Sequence, residues 1–234
     1  TLVGKHPFYR PAVTFSINHS DCVTSVSKSL KEATLDTFEV KKSIEVIPNF
    51  IDFSKHQHHN EDCHRSLIAN DDQRIVTHIS NFRKVKRIDD VIEVFYQLQK
   101  EVNAILMMVG DGPERLKAMA TCEELGIADK VKFLGKSNQV YEILCYSDLF
   151  LLPSASESFG LAALEAMMMR VPVISSNVGG LPEVNIEGQS GHLFAVGDTE
   201  NMAAKSIELL QDDALLEQMK DQARAVAKCF DIDT

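Results

Sequence analysis

Residues 148–169 read DLFLLPSASESFGLAALEAMMM, and their pattern decides the fold. An uninterrupted apolar run from Leu149 to Leu152 is followed by a short polar loop and then by an apolar helical segment. Strands that are apolar on both faces are typical of parallel sheets that helices cover on each side. We therefore predict a buried parallel strand, a loop at its carboxyl end and a helix that packs on the sheet.

The same pattern recurs along the chain, where β-rich runs alternate with helical segments. This alternation is typical of βαβ units and of a doubly wound sheet. The predicted fold class is therefore α/β, with a Rossmann-like parallel sheet. The other five predicted strands are RIVTHIS (74–80), NAILMMVG (103–110), KVKFLG (130–135), VPVISS (171–176) and GHLFAV (191–196).

A shorter unit precedes this sheet, with predicted strands at residues 21–27 and 43–48 and a helix between them. These elements are too few to cover a sheet of their own. We interpret residues 1–48 as the remnant of an amino-terminal domain and residues 49–234 as a second domain. The long polar stretch that follows residue 48 is the predicted boundary.

The composition predicts a globular, acidic protein. With 234 residues, 44% of them hydrophobic, the chain can bury a sizeable core. No apolar run approaches the ~20 residues of a membrane span, and the first residues lack the apolar stretch of a signal peptide, so we expect a soluble, cytoplasmic protein. A formal charge of −10 argues against nucleic acid as a partner. The five cysteines form no C-x-x-C pair, which favours free thiols over a disulfide framework.

A histidine-rich segment, KHQHHNEDCHR (55–65), lies in the polar stretch. Its metal-capable residues have a spacing that fits no zinc template. We interpret the segment as a solvated linker and predict no metal site. The residues concerned are His56, His58, His59, Cys63 and His64.

A basic cluster, SNFRKVKR (80–87), follows the first strand of the main sheet. Ligands of open α/β sheets bind at the carboxyl ends of strands, so the cluster lies at the expected mouth of a site. Four cations in five residues of an acidic protein indicate an anionic ligand, and a solvated charge run is the alternative. The polar side chains are those of Asn81, Arg83, Lys84, Lys86 and Arg87.

Two glycine-containing turns also follow predicted strands. In VGDGPERL (109–116), a Rossmann fingerprint would require a third glycine where this chain has Arg115, so NAD binding is disfavoured. Pro113 suits the first position of a helix, which predicts a tight strand-to-helix turn. The glycine pair of NVGGLPE (177–183) indicates a connection that needs unusual dihedral angles.

Glu157 and Glu165 flank the predicted start of a helix near Phe159. With Ser156 or Ser158 as its cap, that helix would offer free first-turn amides to a phosphate. At ~1.5 Å per residue the two glutamates would lie on the order of 10 Å apart, too far for an acid and base pair. The spacing suits an elongated ligand with phosphate in its middle, such as a nucleotide sugar. A charged residue beside a buried helix is the alternative, which leaves Glu165 unexplained in its apolar run.

ESFGLAALEA (157–166) resembles the E-x7-E motif of retaining glycosyltransferases with the GT-B fold. The neighbouring segments resemble that family in order, namely PNFID as the interdomain link, SNFRKVKR as the phosphate loop, and VGDGPE and NVGGLPEV as the later turns. Within the family, the resemblance is greatest to a branch of bacillithiol biosynthesis that joins N-acetylglucosamine to L-malate. The phosphate loop departs from the pattern Gly-Arg-x4-Lys, because Asn81 replaces the arginine; Lys86 keeps the lysine, and Arg83 could supply the lost charge.

The resemblance implies a UDP-sugar donor and assigns catalytic roles to three residues. Arg83 and Lys86 would bind the UDP phosphates, and Glu157 would face the donor sugar. In this family the leaving phosphate is thought to help deprotonate the acceptor, and neither a cofactor nor a metal is expected.

The resemblance also implies the remaining contacts with the donor. Glu165 would bind the ribose, and uracil would rest near Leu134 and Gly135 through main-chain contacts. The other expected donor-binding residues are Asn81, Ser158, Phe159, Gly160 and Leu161.

GT-B enzymes close two domains over the donor, so the resemblance implies an amino-terminal domain that supplies the acceptor pocket. We then expect little transferase activity from this chain alone and a small hydroxylated acceptor such as L-malate. A nucleotide-sugar-binding module without turnover is the alternative function, and an upstream Rossmann half would favour the enzyme. A homo-oligomer stays an open alternative.

Overall fold

The computed structural model describes residues 6–56, 65, 68–70 and 72–233. Two short strands, β1 (Val23–Ser25) and β2 (Ile44–Val46), form a small parallel pair, and a parallel sheet of six strands follows. Each of the six begins and ends within two residues of its predicted bounds, and the α/β class is confirmed. The strands are β3 (Arg74–Ile79), β4 (Ala104–Val109), β5 (Val131–Gly135), β6 (Leu149–Leu152), β7 (Val173–Ser176) and β8 (Gly191–Phe194).

The strand order of the main sheet is β5-β4-β3-β6-β7-β8. The chain first builds outward from β3 to β5 and then returns to the other side of β3 to place β6. Such a reversal opens a crevice outside the carboxyl ends of the two central strands, where α/β proteins bind ligands. We call this place the switch point; the loops after β3 and β6 form it.

Helices cover both faces of the main sheet. Leu149 and Leu151 of β6 join one core, whereas Phe150 and Leu152 join the other, as the alternation of side chains along a strand requires. The first core is covered by helices Ile88–Leu98, Arg115–Glu124 and Thr199–Gln211, and the second by Val140–Tyr146 and Leu161–Met168. Helix Asp213–Ala227 contributes to both, and the other α-helices of the described residues are Arg10–His19, Lys28–Thr37 and Leu181–Val184.

The amino-terminal unit contacts the second half of the main sheet. The Ser27 hydroxyl donates to the Ser158 carbonyl at 2.6 Å. The Glu183 carboxylate accepts hydrogen bonds from the amides of Lys28 and Ser29, the first two residues of their helix. A carboxylate at this place satisfies free first-turn amides and complements the helix dipole. The predicted strand, helix and strand are therefore present and are tied to the loop that follows β6.

Three sequence predictions need correction or lie outside the described residues. The helix after β4 begins at Arg115, so Pro113 lies in the preceding turn instead of at the first helical position. Cys145 is disulfide-bonded, so the expectation of free thiols is wrong there. His58, His59, Cys63 and His64 lie outside the described residues. Within the described ranges, no group of three His, Cys, Asp or Glu residues could hold a metal, and no helix is long and apolar enough to cross a membrane.

The two glycine-containing turns pack directly against the loops of the switch point. A Cβ on Gly110 would lie 1.8 Å from the carbonyl oxygen of Ser80, and one on Gly179 would lie 1.9 Å from that of Glu157. Both glycines have a positive φ, +126° and +57°, which confirms the unusual dihedral angles predicted for NVGG. These glycines therefore serve close backbone packing at the site.

We predict that Gly179→Ala destabilises the protein more than Gly188→Ala does. Gly188 also has a positive φ, +70°, but no atom lies within 4 Å of its added Cβ. Both substitutions place a Cβ on a residue with a left-handed backbone conformation, which costs about 1–2 kcal/mol of folding free energy. Only Gly179→Ala also displaces the Glu157 backbone. Chemical denaturation measures both free energies of unfolding, and equal losses would contradict the close packing.

Candidate functional site

The loops after β3 and β6 are joined at the switch point by a backbone hydrogen bond and an ion pair. The Ala155 amide donates to the Val85 carbonyl at 2.8 Å. Lys86 Nζ lies 2.5 Å from Glu157 Oε1, and the two side chains are 19% and 12% exposed. The structure thus brings into contact two residues that sequence analysis placed at a phosphate and at a sugar.

The Glu157 carboxylate has a second partner that sequence analysis missed. The Ser154 hydroxyl donates to the same oxygen, Oε1, at 2.9 Å. Ser154 is completely buried in the loop directly after β6. The only signal in the sequence is its position three residues before Glu157, between an apolar strand and the polar loop.

The four cations of the basic cluster have different environments. Arg87 forms a two-point ion pair with Asp90 in the first turn of its helix, so its charge is used to stabilise the fold. Arg83 and Lys84 are exposed, and neither forms an ion pair with another described residue. Of these four cations, Lys86 is the one whose side chain contacts the loop after β6. Arg83, which the resemblance places at the UDP phosphates, is thus as exposed as Lys84.

The helix that follows the β6 loop begins at Leu161, two residues later than predicted. Gly160 precedes it with φ +103°, a conformation that glycine adopts readily and that ends any helical continuation toward the amino terminus. The amides of Leu161 and Ala162 donate to no acceptor among the described residues. The free first-turn donors are therefore these two amides, in place of a set that begins at Phe159.

The residues before Gly160 also differ from their predicted roles in the helix. Ser156 and Ser158 are exposed and neither caps the helix, because Gly160 occupies the N-cap position. The Phe159 ring is buried and packs edge-on against Phe230, with ring centroids 5.7 Å apart. This buried ring anchors the loop, which leaves only its main chain available to a ligand.

Glu165 lies on the same helix in a largely apolar setting. Burial raises its pKa, and the Tyr141 hydroxyl donates to its Oε1 at a long 3.5 Å. Burial, together with the nearby charge of Glu165, raises the pKa of Tyr141 to about 12. A half-buried carboxylate with one long hydrogen bond gains from further donors, because an unmet acceptor away from water is costly. Sequence analysis did not identify Tyr141.

A cavity of about 230 Å³ lies at the carboxyl ends of β3, β4 and β5. Asn81, Gly110 and Lys136 contribute to its lining. Leu134 and Gly135 directly precede Lys136 in the chain. The Leu134 side chain is 44% exposed, and the Gly135 carbonyl accepts a hydrogen bond from the Gly110 amide at 2.8 Å. Gly135 thus adjoins this cavity, whereas Leu134 lines a second cavity of about 460 Å³, to which Lys136 also contributes.

His78 is a completely buried histidine on β3, one residue before Ile79 of the cavity lining. Burial lowers its pKa to about 4, so the ring is neutral near pH 7. Its Nδ1 lies 2.8 Å from the Leu151 carbonyl, which must accept, so Nδ1 carries the proton. Nε2 then accepts from the Ser80 hydroxyl at 2.7 Å. This network supports the start of the basic loop from within the core.

The two glutamates have separate surroundings. Glu157 contacts Lys86 and Ser154, whereas Glu165 contacts Tyr141. Within the described part of the chain, no hydrogen bond joins one carboxylate to the other. This arrangement agrees with the prediction that they are not a cooperating acid and base.

Residues 60–226 match the family of glycosyl transferases group 1. The chain belongs to this family. It is 42% identical over 225 residues to N-acetyl-alpha-D-glucosaminyl L-malate synthase from Bacillus anthracis, a match that covers 96% of this chain and 59% of that protein. An uncharacterized glycosyltransferase from Methanocaldococcus jannaschii is 31% identical over 182 residues, which cover 74% of this chain and 47% of that protein.

Solved structures confirm the predicted GT-B fold class. HepE from Anabaena, in complex with UDP and glucose, has a TM-score of 0.88 at 23% identity and is matched over 96% of this chain and 63% of its own. Sucrose-phosphate synthase from Thermosynechococcus elongatus has a TM-score of 0.86 at 25% identity, with 97% and 59% covered. The chain thus spans less than two thirds of the length of these relatives.

Proposed function

We propose that this chain is the donor-binding half of a retaining glycosyltransferase. In this proposal N-acetylglucosamine moves from UDP to a small hydroxylated acceptor such as L-malate. The Lys86–Glu157 contact carries the proposal, because it puts a cation suited to a diphosphate beside a carboxylate suited to sugar hydroxyls. The Bacillus anthracis relative, an N-acetyl-alpha-D-glucosaminyl L-malate synthase, supports the sugar and the acceptor, and the HepE complex supports UDP.

The diphosphate would bind between the basic loop and the start of helix Leu161–Met168. An ammonium has three donors, so Lys86 can keep its bond to Glu157 and still donate to phosphate oxygens. Arg83 adds a second cation from the exposed part of the loop. The free amides of Leu161 and Ala162 add the positive end of the helix dipole.

The transfer itself exchanges two bonds at the anomeric carbon. The bond from this carbon to the phosphate oxygen breaks, and a bond to the acceptor oxygen forms on the same face of the sugar. The acceptor's hydroxyl proton passes to the leaving phosphate, so UDP departs with the electron pair and charges balance. Arg83, Lys86 and the helix amides stabilise the charge that develops on UDP, and this scheme uses neither a metal nor a cofactor.

The nucleoside would occupy the other side of the crevice. The Glu165 carboxylate can accept two ribose hydroxyl protons, which would satisfy a group that Tyr141 satisfies only weakly. Uracil would then lie near Leu134 and Gly135, beside the cavity that Asn81 helps to line. Ser158, Phe159 and Gly160 would offer main-chain groups to the phosphate and the sugar.

Residues 1–48 would belong to an amino-terminal domain and residues 49–234 to the donor-binding domain. Closure of the first domain over the donor would supply the acceptor pocket and exclude water, which strengthens the electrostatic stabilisation. Under this proposal the chain binds the donor by itself, and turnover requires the complete amino-terminal domain.

We predict that Glu165→Gln weakens binding of UDP more than binding of inorganic pyrophosphate. An amide accepts hydroxyl protons less well than a carboxylate does, and pyrophosphate has no ribose to lose. Calorimetric titration of both ligands into both proteins measures the difference. Equal losses for the two ligands would move Glu165 away from the ribose.

We also predict that Arg83→Ala and Lys86→Ala lower kcat when the donor is saturating, in a protein that joins this chain to its amino-terminal domain. The loss for Lys86→Ala should be on the order of 100-fold, comparable with the loss of one oxyanion donor. Added magnesium should give little rescue.

Lys84→Ala is the matched control for Arg83→Ala, because both cations are exposed in the same loop and neither has an ion-pair partner among the described residues. It should reduce kcat far less. The leaving-group role is wrong if the first two variants raise only the donor's KM, or if Lys84→Ala is the most damaging.

A further inference from the structure

Ser154 is a completely buried polar residue to which the proposed function gives no role. Its hydroxyl donates to Glu157 Oε1 at 2.9 Å, and Lys86 Nζ donates to the same oxygen at 2.5 Å. In the part of the chain that the structure describes, no donor contacts the other carboxylate oxygen, Oε2. The two oxygens of the Glu157 carboxylate therefore differ, because Oε1 accepts two hydrogen bonds and Oε2 accepts none from the described residues.

A carboxylate oxygen has two lone pairs, so two donors on Oε1 use both of its acceptor directions. Together they set the rotation of the carboxylate and leave Oε2 with its lone pairs unused. Oε2 is not among the buried side-chain atoms that lack a partner in the described residues, so it is open to solvent and to a ligand. A hydroxyl group of a bound sugar can donate to it.

Once a nucleotide is bound, Lys86 alone does not hold the orientation of this carboxylate. The diphosphate is a second anion that competes for the same ammonium, so the bond from Lys86 to Glu157 weakens as the ligand binds. Ser154 carries no charge, and its one proton is already used on Glu157. Lys86 keeps its bond to Glu157 but shares its charge with the diphosphate, so the Ser154 hydrogen bond is the contact that the ligand does not weaken.

We propose that Ser154 is a positioning residue that holds the Glu157 carboxylate so that Oε2 accepts a hydroxyl of the donor sugar. This inference rests on the proposed function. Ser154 acts through Glu157 and touches neither the sugar nor UDP. Ser154 should thus affect the affinity for a ligand that carries the sugar and not the affinity for UDP alone.

The test is calorimetric titration of UDP-N-acetylglucosamine and of UDP into this chain and its Ser154→Ala variant. We expect the Kd for UDP-N-acetylglucosamine to rise about tenfold, in the range of one hydrogen bond to a charged group, and the Kd for UDP to change less than about twofold. Ser206→Ala is the matched control, because Ser206 is also completely buried and its hydroxyl donates only to the Met202 carbonyl. It should change neither Kd.

A double-mutant cycle separates positioning from general destabilisation. Glu157→Ala should weaken UDP-N-acetylglucosamine binding, and adding Ser154→Ala should weaken it no further, because the group that Ser154 orients is gone. Additive losses, or an equal loss of UDP binding in Ser154→Ala, would overturn the inference. If the unaltered chain fails to bind UDP-N-acetylglucosamine at all, the proposed function fails and this inference with it.

Discussion

The ion pair between Lys86 and Glu157 is the interaction on which the site depends. It forms because the strand order reverses between β3 and β6, so the loops after these two strands leave the sheet side by side. One loop supplies cations and the other a carboxylate and the start of a helix. A ligand with a charged middle and a hydroxylated end fits both loops at once, which is why a nucleotide sugar suits this crevice.

Backbone packing holds these two loops in place. Gly110 and Gly179 approach the carbonyls of Ser80 and Glu157 so closely that no side chain would fit. Below them the buried ring of Phe159 and the neutral imidazole of His78 tie the loops to the core. The site is thus built on rigid supports, and a preorganised site stabilises charge without having to rearrange during the reaction.

The sequence predicted the sheet well, because continuous apolar runs such as Leu149–Leu152 show burial on both faces. It also located both loops, since charge clusters and glycines directly follow those runs. It missed the helix start at Leu161, which depends on the φ of Gly160 and the burial of Phe159. Ser154 and Tyr141 were missed because their contacts depend on side-chain geometry, and the Ser27–Ser158 bond was missed because it joins residues 131 positions apart.

The most direct test of the account is a calorimetric comparison of UDP-N-acetylglucosamine, UDP and NAD as ligands of this chain. The Lys86 ammonium, the Arg83 guanidinium and the free helix amides suit a diphosphate, and the absence of the third Rossmann glycine disfavours a dinucleotide. The account predicts that both uridine nucleotides bind more tightly than NAD. Equal or tighter binding of NAD would contradict it.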